Sequence, residues 1–205
     1  MGSHCCSNLY AYFISSIRFL IMKIALTGHT KGIGKSIYDW FFGDPEMTEE
    51  VLGFSRSNGY DIKNKSDREK IIKEVSDCNV FINNAHEEFA QVHMLNELYN
   101  SWKETQGKII INIGVDSVPS VAWQVVHKMY PVEKMALHSA IDILQQESDR
   151  CVKITNLALG HVNTEFNEDY FGSKINPTEV PKAIEWIVSR QDEVKSLVIS
   201  PKPGR

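Results

Sequence analysis

The chain contains few of the residues that build disulfide frameworks and metal centres. Its 205 residues include four cysteines, Cys5, Cys6, Cys78 and Cys151, which form neither a C-x-x-C pair nor a ligand set with nearby histidines. A zinc site is therefore not expected, and we predict no metal. Because two of the four stand in apolar, strand-like runs, we interpret them as small core hydrophobes. That usage fits a reducing cytoplasm better than a secreted disulfide scaffold.

The sequence also lacks a strong excess of one charge and a long apolar run. Lys and Arg total 22 against 26 Asp and Glu, for a net charge of -4, and they are scattered along the chain. We therefore expect no nucleic-acid partner and no anionic membrane partner. The apolar segment 9–21 is interrupted by Arg18 and two serines and is too short to span a bilayer. The alternative, a signal peptide, is disfavoured because no small-residue cleavage site precedes Met22.

The chain length suits one hydrophobic core rather than two full-sized domains. Met22 opens a strand-like run and marks the natural start of the domain, whereas residues 1–4 look like a tag remnant. We therefore expect residues 1–21 to be an N-terminal extension, derived from cloning or non-native. Residues 22–205 are expected to form a single domain.

Short apolar runs alternate with segments of helical periodicity, which predicts βαβ units and a parallel sheet covered by helices. The predicted fold is α/β, a doubly wound Rossmann fold with a seven-stranded parallel sheet flanked by helices on both faces. The predicted strands are Lys23–Thr27, Val51–Ser55, Tyr60–Ile62, Asn79–Ile82, Lys108–Ile113, Val152–Leu157 and Ser196–Ile199. The predicted helices are Ile33–Phe42, Asp67–Ser76, Glu87–Thr105, a long helix ending near Glu147, and Thr178–Ser189.

A glycine-rich turn joins the first predicted strand to the first predicted helix. Gly28, Gly32 and Gly34 have the spacing Gly-x-x-x-Gly-x-Gly. Residues without a Cβ let the backbone and a helix N-terminus approach a pyrophosphate closely, so the turn is a candidate dinucleotide site. An ordinary βα turn is the alternative, and the strand before and helix after it favour the nucleotide interpretation.

The order of motifs along the chain resembles the short-chain dehydrogenase/reductase family in its compact, single-domain branch. The motifs are the glycine turn, Asn83-Asn84-Ala85 after the fourth predicted strand, Ser117, and Tyr130 with Lys134. A downstream Gly160-x-Val162-x-Thr164 follows, and the likeness extends from Met22 to about Ile199. Three departures stand out: His86 replaces a glycine, Leu159 replaces a proline, and Gly114, Val115 and Asp116 separate the fifth predicted strand from Ser117.

The resemblance implies a catalytic serine, tyrosine and lysine at Ser117, Tyr130 and Lys134, and a dinucleotide site that spans most motifs. The implied cofactor-binding residues are Gly28, Thr30, Lys31, Gly32, Ile33, Gly34, Arg56, Ser57, Asp61, Ile62, Asn83, Asn84, Ala85, Tyr130, Lys134, Gly160, Val162 and Thr164. Asn96 is a candidate for the proton-relay asparagine of many members, although an exposed helical residue is the preferred interpretation. The resemblance also implies a homodimer or homotetramer.

The motif Tyr-x-x-x-Lys occurs three times, so context must choose among the tyrosines. Tyr99 stands within a predicted helix, where we interpret it and Lys103 as solvated, and Tyr170 stands in a glycine-containing loop. Tyr130 alone follows the fifth predicted strand, at whose carboxyl end ligands bind in open α/β sheets. The context therefore favours Tyr130 as the acid/base.

The tyrosine needs a neighbouring cation, because a phenol with an ordinary pKa near 10 exchanges protons poorly near neutral pH. Lys134 lies one helical turn beyond Tyr130 and should share its face. Its charge is expected to lower the pKa of the phenol. By resemblance, Lys134 would also bind the cofactor's ribose, Ser117 would bind the substrate oxygen, and Tyr130 would protonate a carbonyl oxygen or deprotonate an alcohol.

The second predicted strand ends without the carboxylate that typically selects NAD. Arg56, Ser57 and Lys31 offer two cations and a hydroxyl to a 2′-phosphate. The sequence thus favours NADP(H), with NAD(H) possible. Asp61 and Ile62 resemble the family's adenine-contacting pair.

The expected activity is reduction of a carbonyl or oxidation of an alcohol on an unidentified small molecule. Two alternatives remain open at this stage. One is a non-catalytic dinucleotide sensor or scaffold, and the other is an epimerase or lyase of the same superfamily.

Overall fold

The computed structural model describes residues 22–42, 50–116 and 129–202, and within them six parallel strands form one sheet. The strands are β1 (Ile24–Thr27), β2 (Val51–Phe54), β3 (Val80–Asn83), β4 (Ile109–Val115), β5 (Lys153–Leu159) and β6 (Ser196–Ile199). Their order across the sheet is β2-β1-β3-β4-β5-β6. The chain therefore builds outward in both directions from the β1–β3 pair, as a doubly wound fold requires.

Five helices connect the strands in the described part of the chain. They are α1 (Gly32–Phe42), α2 (Lys65–Glu74), α3 (Ala90–Trp102), α4 (Tyr130–Gln146) and α5 (Glu179–Val188), with single 3-10 turns at Arg56–Asn58 and Glu165–Asn167. All five correspond to predicted helices. None is long and apolar enough to cross a membrane.

Two hydrophobic cores lie on opposite faces of the sheet, because alternate strand residues point to opposite sides. On one face Ala25 and Phe81 pack with side chains of α2, α3 and α4. On the other face Ile24 and Leu26 pack with side chains of α1 and α5. Both faces are thus covered, which explains why the strands read as continuous apolar runs rather than alternating ones.

The predicted strand Tyr60–Ile62 is wrong, and this segment is a turn. The Asp61 carboxylate accepts a hydrogen bond from the backbone N–H of Lys63 at 3.0 Å, and the Asp61 carbonyl accepts one from Asn64 at 2.9 Å. An Asp side chain that satisfies nearby backbone donors in this way competes with strand pairing. Ile62 is buried in the core from this turn, which accounts for its strand-like apolar signal.

The two cysteines of the described residues differ in their surroundings. Cys78 is fully buried immediately before β3, as predicted, and burial raises the pKa of its thiol to about 11. The prediction that Cys151 is a core residue is wrong, because it is exposed in the turn before β5. Among the described residues, no group of three His, Cys, Asp or Glu side chains could hold a metal ion.

Candidate active site

The site lies where β1 and β3 end side by side and the chain departs to opposite sides of the sheet. Open α/β sheets bind ligands in the crevice at this point. The Thr27 hydroxyl, at the end of β1, accepts hydrogen bonds from the backbone N–H groups of Asn84 (3.1 Å) and Ala85 (3.0 Å). The Asn84 side chain donates to the Thr27 carbonyl at 2.9 Å. These bonds fix the Asn84-Ala85 loop against the glycine turn.

The glycine turn has a shape that only glycine supports at two positions. Gly28 has φ +73°, in the left-handed region. A Cβ on Gly34 would lie 2.0 Å from the carbonyl oxygen of Gly28, so the first turn of α1 must pack directly on the backbone of the turn. The first backbone N–H groups of a helix lack intrahelical partners, and the residues of this first turn, Gly32, Ile33 and Gly34, line a cleft.

Two adjoining clefts open at this edge of the sheet and share Lys31, Asn84 and His86. The first, which we call the catalytic cleft, has a volume of about 250 Å³. Its lining includes Gly32, Ile33, Gly34, Asp116, Tyr130, Lys134, Gly160, Val162, Thr164 and Phe166. The second, which we call the ribose cleft, is lined by Gly28, Thr30, Phe54, Ser55, Arg56, Ser57, Tyr60, Asp61, Ile62, Ala85 and Glu87.

Tyr130 and Lys134 meet in the catalytic cleft because α4 begins at Tyr130. Pro131 stands in the first turn of α4, where a missing N–H costs no intrahelical bond, so it starts the helix without kinking the pair. The Lys134 ammonium nitrogen lies 5.6 Å from the centre of the Tyr130 ring. It donates to the Gln91 amide oxygen at 2.8 Å and to the Ile113 carbonyl at 3.1 Å.

The electrostatics of this pair differ from the sequence prediction. Burial, reinforced by the Glu133 carboxylate, raises the pKa of Tyr130 to about 12 instead of lowering it. Burial likewise lowers the pKa of Lys134 to about 7, and the charge of Glu133 partly opposes this shift. The predicted lowering of the phenol pKa is therefore not present in the protein alone, because desolvation outweighs the nearby cation.

A histidine and a glutamate add a second polar pair beside the tyrosine. The Nε2 atom of His86 lies 2.9 Å from a carboxylate oxygen of Glu133, whose side chain is only 7 % exposed. The His86 ring also meets the Tyr130 ring edge to face, with centroids 4.7 Å apart. His86 was recognised in the sequence only as a departure from a motif, and Glu133 was not recognised at all.

Several predicted residues take supporting rather than lining positions. Asn83 is fully buried, and its side chain donates to the Gln91 carbonyl and to the Asn112 side chain, each at 2.9 Å. It does not line either cleft, and its assignment as a direct cofactor contact stays a prediction. Asn96 is exposed on α3, as the preferred interpretation had it. Ser117 lies outside the described residues.

The tyrosines of the other two Tyr-x-x-x-Lys matches do not line either cleft. Tyr99 is 2 % exposed, and its hydroxyl donates to Glu147 at 2.5 Å. Its predicted solvated position is therefore wrong. Tyr170 lies in the loop before α5, as predicted, and stacks on His161 with ring centroids 3.7 Å apart. Neither tyrosine approaches a lysine as Tyr130 approaches Lys134.

In the ribose cleft the predicted cations are joined by an unpredicted anion. Arg56, Ser57, Asp61 and Ile62 all line it, together with Lys31. The Glu87 carboxylate lies 3.9 Å from the Arg56 guanidinium, and their side chains are 38 % and 76 % exposed. Any phosphate bound by Arg56 would therefore have to compete with a weak, solvent-screened ion pair.

Comparison with known proteins gives similarity in structure alone. No protein-family model and no curated protein matches the sequence. The 3-alpha-hydroxysteroid dehydrogenase from Pseudomonas sp. B-0831, complexed with NADH, is similar with a TM-score of 0.69 and 17% identity, over 86% of this chain and 94% of that one. An alcohol dehydrogenase from Thermococcus sibiricus, complexed with 5-hydroxy-NADP, has a TM-score of 0.67 and 20% identity, over 90% and 98%. A short chain dehydrogenase from Burkholderia cenocepacia, in complex with NADP, has a TM-score of 0.65 and 15% identity, over 87% and 89%. The chain has the Rossmann-type fold of the short-chain dehydrogenases.

Proposed function

We propose that the chain is a nicotinamide-dependent oxidoreductase of the short-chain dehydrogenase/reductase type. It reduces a carbonyl or oxidises an alcohol of a small molecule, with Tyr130 as acid/base. The observation that carries the proposal is the meeting of Tyr130 and Lys134 in one cleft with the glycine turn and the N-terminus of α1. The three similar structures named above contain NADH, 5-hydroxy-NADP and NADP, and their fold is the one described here.

The residues at the edge of the sheet fit a dinucleotide. The cramped packing of Gly34 on Gly28 brings the helix N-terminus to the cleft surface, where its N–H groups suit a pyrophosphate. The ribose cleft offers Asp61 and Ile62 to an adenosine, and Lys134 offers its ammonium to a ribose hydroxyl. A nicotinamide cofactor bound there would supply or accept the hydride.

The protein's own residues handle the proton. In reduction, the Tyr130 hydroxyl donates its proton to the oxygen of the carbonyl, and in oxidation the phenolate removes the alcohol proton. The raised pKa of Tyr130 keeps its hydroxyl protonated at neutral pH, so that a proton is present for donation. A charged Lys134 would stabilise the phenolate left after donation. We retain Ser117 as the proposed partner of the substrate oxygen.

The preference for NADP(H) over NAD(H) is part of the proposal. Lys31 and Arg56 line the same ribose cleft, which supports joint binding of a 2′-phosphate. Asp61 also lines that cleft, but the end of β2 carries serine and arginine where a ribose-binding carboxylate would stand. A cytoplasmic location and a homodimer or homotetramer remain predictions.

The test is Tyr130→Phe, which keeps the aromatic ring and removes one hydroxyl. Single-turnover oxidation of NADPH with a carbonyl compound found by screening should slow by about two to four powers of ten, the usual contribution of general acid/base catalysis. NADPH binding, followed by fluorescence, should persist. Tyr99→Phe is the matched control, because Tyr99 heads the same sequence pattern but is buried against Glu147, away from both clefts.

Three outcomes would contradict the proposal in different ways. Full turnover in Tyr130→Phe would exclude Tyr130 as the acid/base. Tight NADPH binding without turnover on any carbonyl compound or alcohol would favour the sensor or scaffold alternative. Change in a substrate's stereochemistry without net oxidation would favour the epimerase alternative.

A further inference from the structure

The ammonium of Lys134 contacts Gln91, a residue that no sequence motif identified. Lys134 is 5 % exposed, and its two acceptors among the described residues are the Gln91 side chain on α3 and the Ile113 carbonyl on β4. A lysine this deeply buried loses most of its hydration, so each acceptor contributes strongly to its placement. Gln91 is the side chain among these acceptors, and it is 1 % exposed.

The orientation of the Gln91 amide is fixed by its other contacts. Its nitrogen donates to the carbonyl oxygens of Asn83 (2.7 Å) and Ile113 (3.2 Å). An amide nitrogen can only donate, so facing two carbonyls leaves the amide oxygen pointing away from them. That oxygen is the one which accepts from Lys134 at 2.8 Å.

The amide is also anchored to the sheet. The Asn83 side chain donates to the backbone carbonyl of Gln91 and to the Asn112 side chain, each at 2.9 Å. Asn83 and Asn112 are fully buried at paired positions of β3 and β4. The strands β3 and β4 are thereby connected to the start of α3, and this network determines where the Gln91 oxygen lies.

We propose that Gln91 is a positioning residue that holds the Lys134 ammonium, through its amide oxygen, at the floor of the catalytic cleft. An ammonium has three N–H donors, and two of them are directed to Gln91 and Ile113. Within the described part of the chain, one donor therefore remains for the cleft that Lys134 lines. This role serves the proposed oxidoreductase, in which that donor binds a ribose hydroxyl, but the contact itself can be tested without turnover.

The contact must also favour the charged form of the lysine. A hydrogen bond to an acceptor stabilises the ammonium over the neutral amine, which opposes the burial that lowers the pKa of Lys134 to about 7. Among the described residues, the other titratable groups around the cleft are Tyr130 and Glu133 on α4, His86 after β3, Asp116 after β4, Lys31 in the glycine turn and His161 after β5. None of these residues is substituted in a Gln91 variant.

The experiment compares Gln91→Met with Gln91→Glu, which are expected to shift the pKa of Lys134 in opposite directions. Methionine has a similar length without an acceptor oxygen, and glutamate places an anion in the same position. NMR titration of 13Cε-labelled lysine, with the Lys134 signal assigned by its loss in Lys134→Met, reports the pKa directly. We expect it to fall by about one unit in Gln91→Met and to rise by at least as much in Gln91→Glu, as expected for a charged hydrogen bond.

A merely structural role would not give opposite shifts. Asn96→Ala, on the exposed side of the same helix, is the control and should leave the Lys134 titration unchanged. If the Lys134 titration is the same in wild type and in both Gln91 variants, the positioning role is overturned, whether or not the enzyme is active. If Gln91→Met does not fold, an unmoved titration in Gln91→Glu alone overturns it.

The proposed function is separated from this role by a second measurement. NADPH affinity as a function of pH should follow the Lys134 titration, with its midpoint displaced in the same direction in each variant. Opposite NMR shifts without any NADPH binding would support the positioning role and contradict the proposed function. NADPH binding whose pH dependence does not follow the Lys134 titration would show that the positioned ammonium does not bind the cofactor.

Discussion

The two clefts hold charged groups in very different surroundings. In the catalytic cleft, Lys134 and Glu133 are 5 % and 6 % exposed, and burial moves the pKa values of Tyr130 and Lys134 far from their ordinary range. In the ribose cleft, the side chains of Arg56 and Glu87 are 76 % and 38 % exposed and lie 3.9 Å apart. Water and salt screen the second pair and barely reach the first. A substitution in the buried cleft should therefore have a larger effect on turnover and cofactor affinity than a substitution in the open cleft.

The largest effect is expected for Lys134→Met. The variant removes the ammonium that would stabilise a phenolate and bind ribose, while methionine fills the same volume. Turnover should fall by about two powers of ten or more, and NADPH affinity should fall with it. Stopped-flow turnover and fluorescence titration measure the two losses separately. Loss of rate with unchanged affinity would exclude the ribose contact.

The same variant should change how stability depends on pH. The pKa of Lys134 is about 7 in the folded protein and near 10.4 in the unfolded chain, so between these values the unfolded state binds more protons. The penalty of the buried charge is full below pH 7, and native stability gains up to about 1.4 kcal/mol per pH unit above it. Urea unfolding at pH 7, 8 and 9 should show a flatter profile for Lys134→Met. Lys65→Met, at a position 75 % exposed, should keep the wild-type slope.

A smaller effect is expected for Arg56→Asp in the ribose cleft. The change places a carboxylate where we propose that a guanidinium meets the 2′-phosphate, so NADP(H) should bind about tenfold more weakly, a contribution typical of one charge-assisted contact. NAD(H) affinity should change little. Calorimetric titration of both cofactors measures the difference, with Lys65→Asp as the control at a cation outside both clefts. Equal losses for both cofactors would show that Arg56 does not select the phosphate.

Glu87→Gln should have the opposite and still weaker consequence. Its carboxylate lies near Arg56 and would repel a bound 2′-phosphate, so its removal should tighten NADP(H) binding about twofold to fourfold. The gain should shrink as salt is added, because both side chains are open to solvent. An unchanged affinity at low salt would mean that the phosphate does not bind beside this pair.

The smallest effect is expected for deletion of residues 1–21, which we propose are dispensable. The strands and the two hydrophobic cores of the described part of the chain are built from Met22 and the residues after it. Thermal melting of a chain starting at Met22 should agree with that of the full chain within a few degrees. A large fall in melting temperature would show that this segment belongs to the fold.

The elements whose signal is local were predictable from the sequence. The apolar runs of β1, β3 and β4, the helical periods between them and the glycine turn each depend on residues that are close together in the chain. The strand predicted at Tyr60–Ile62 is wrong for the same reason. A short segment with apolar and aromatic residues predicts a strand equally well when one of its residues, here Asp61, forms a turn. The solvated position predicted for Tyr99 is wrong because its hydroxyl contacts Glu147, a residue that is distant in sequence.

The choice of Tyr130 and the fold class followed from the sequence alone, since motif order and the strand before each motif are properties of the chain. The tertiary structure decided the rest of the site. Gln91 and His86 approach Lys134 and Tyr130 only when α3, α4 and the ends of β3 and β4 pack together, and Glu133, a sequence neighbour of both, meets His86 there. The structure also decided the electrostatics, because desolvation depends on what covers a side chain and not on its neighbours in sequence. For that reason the pKa of Tyr130 is raised where the motif alone predicted that it would be lowered.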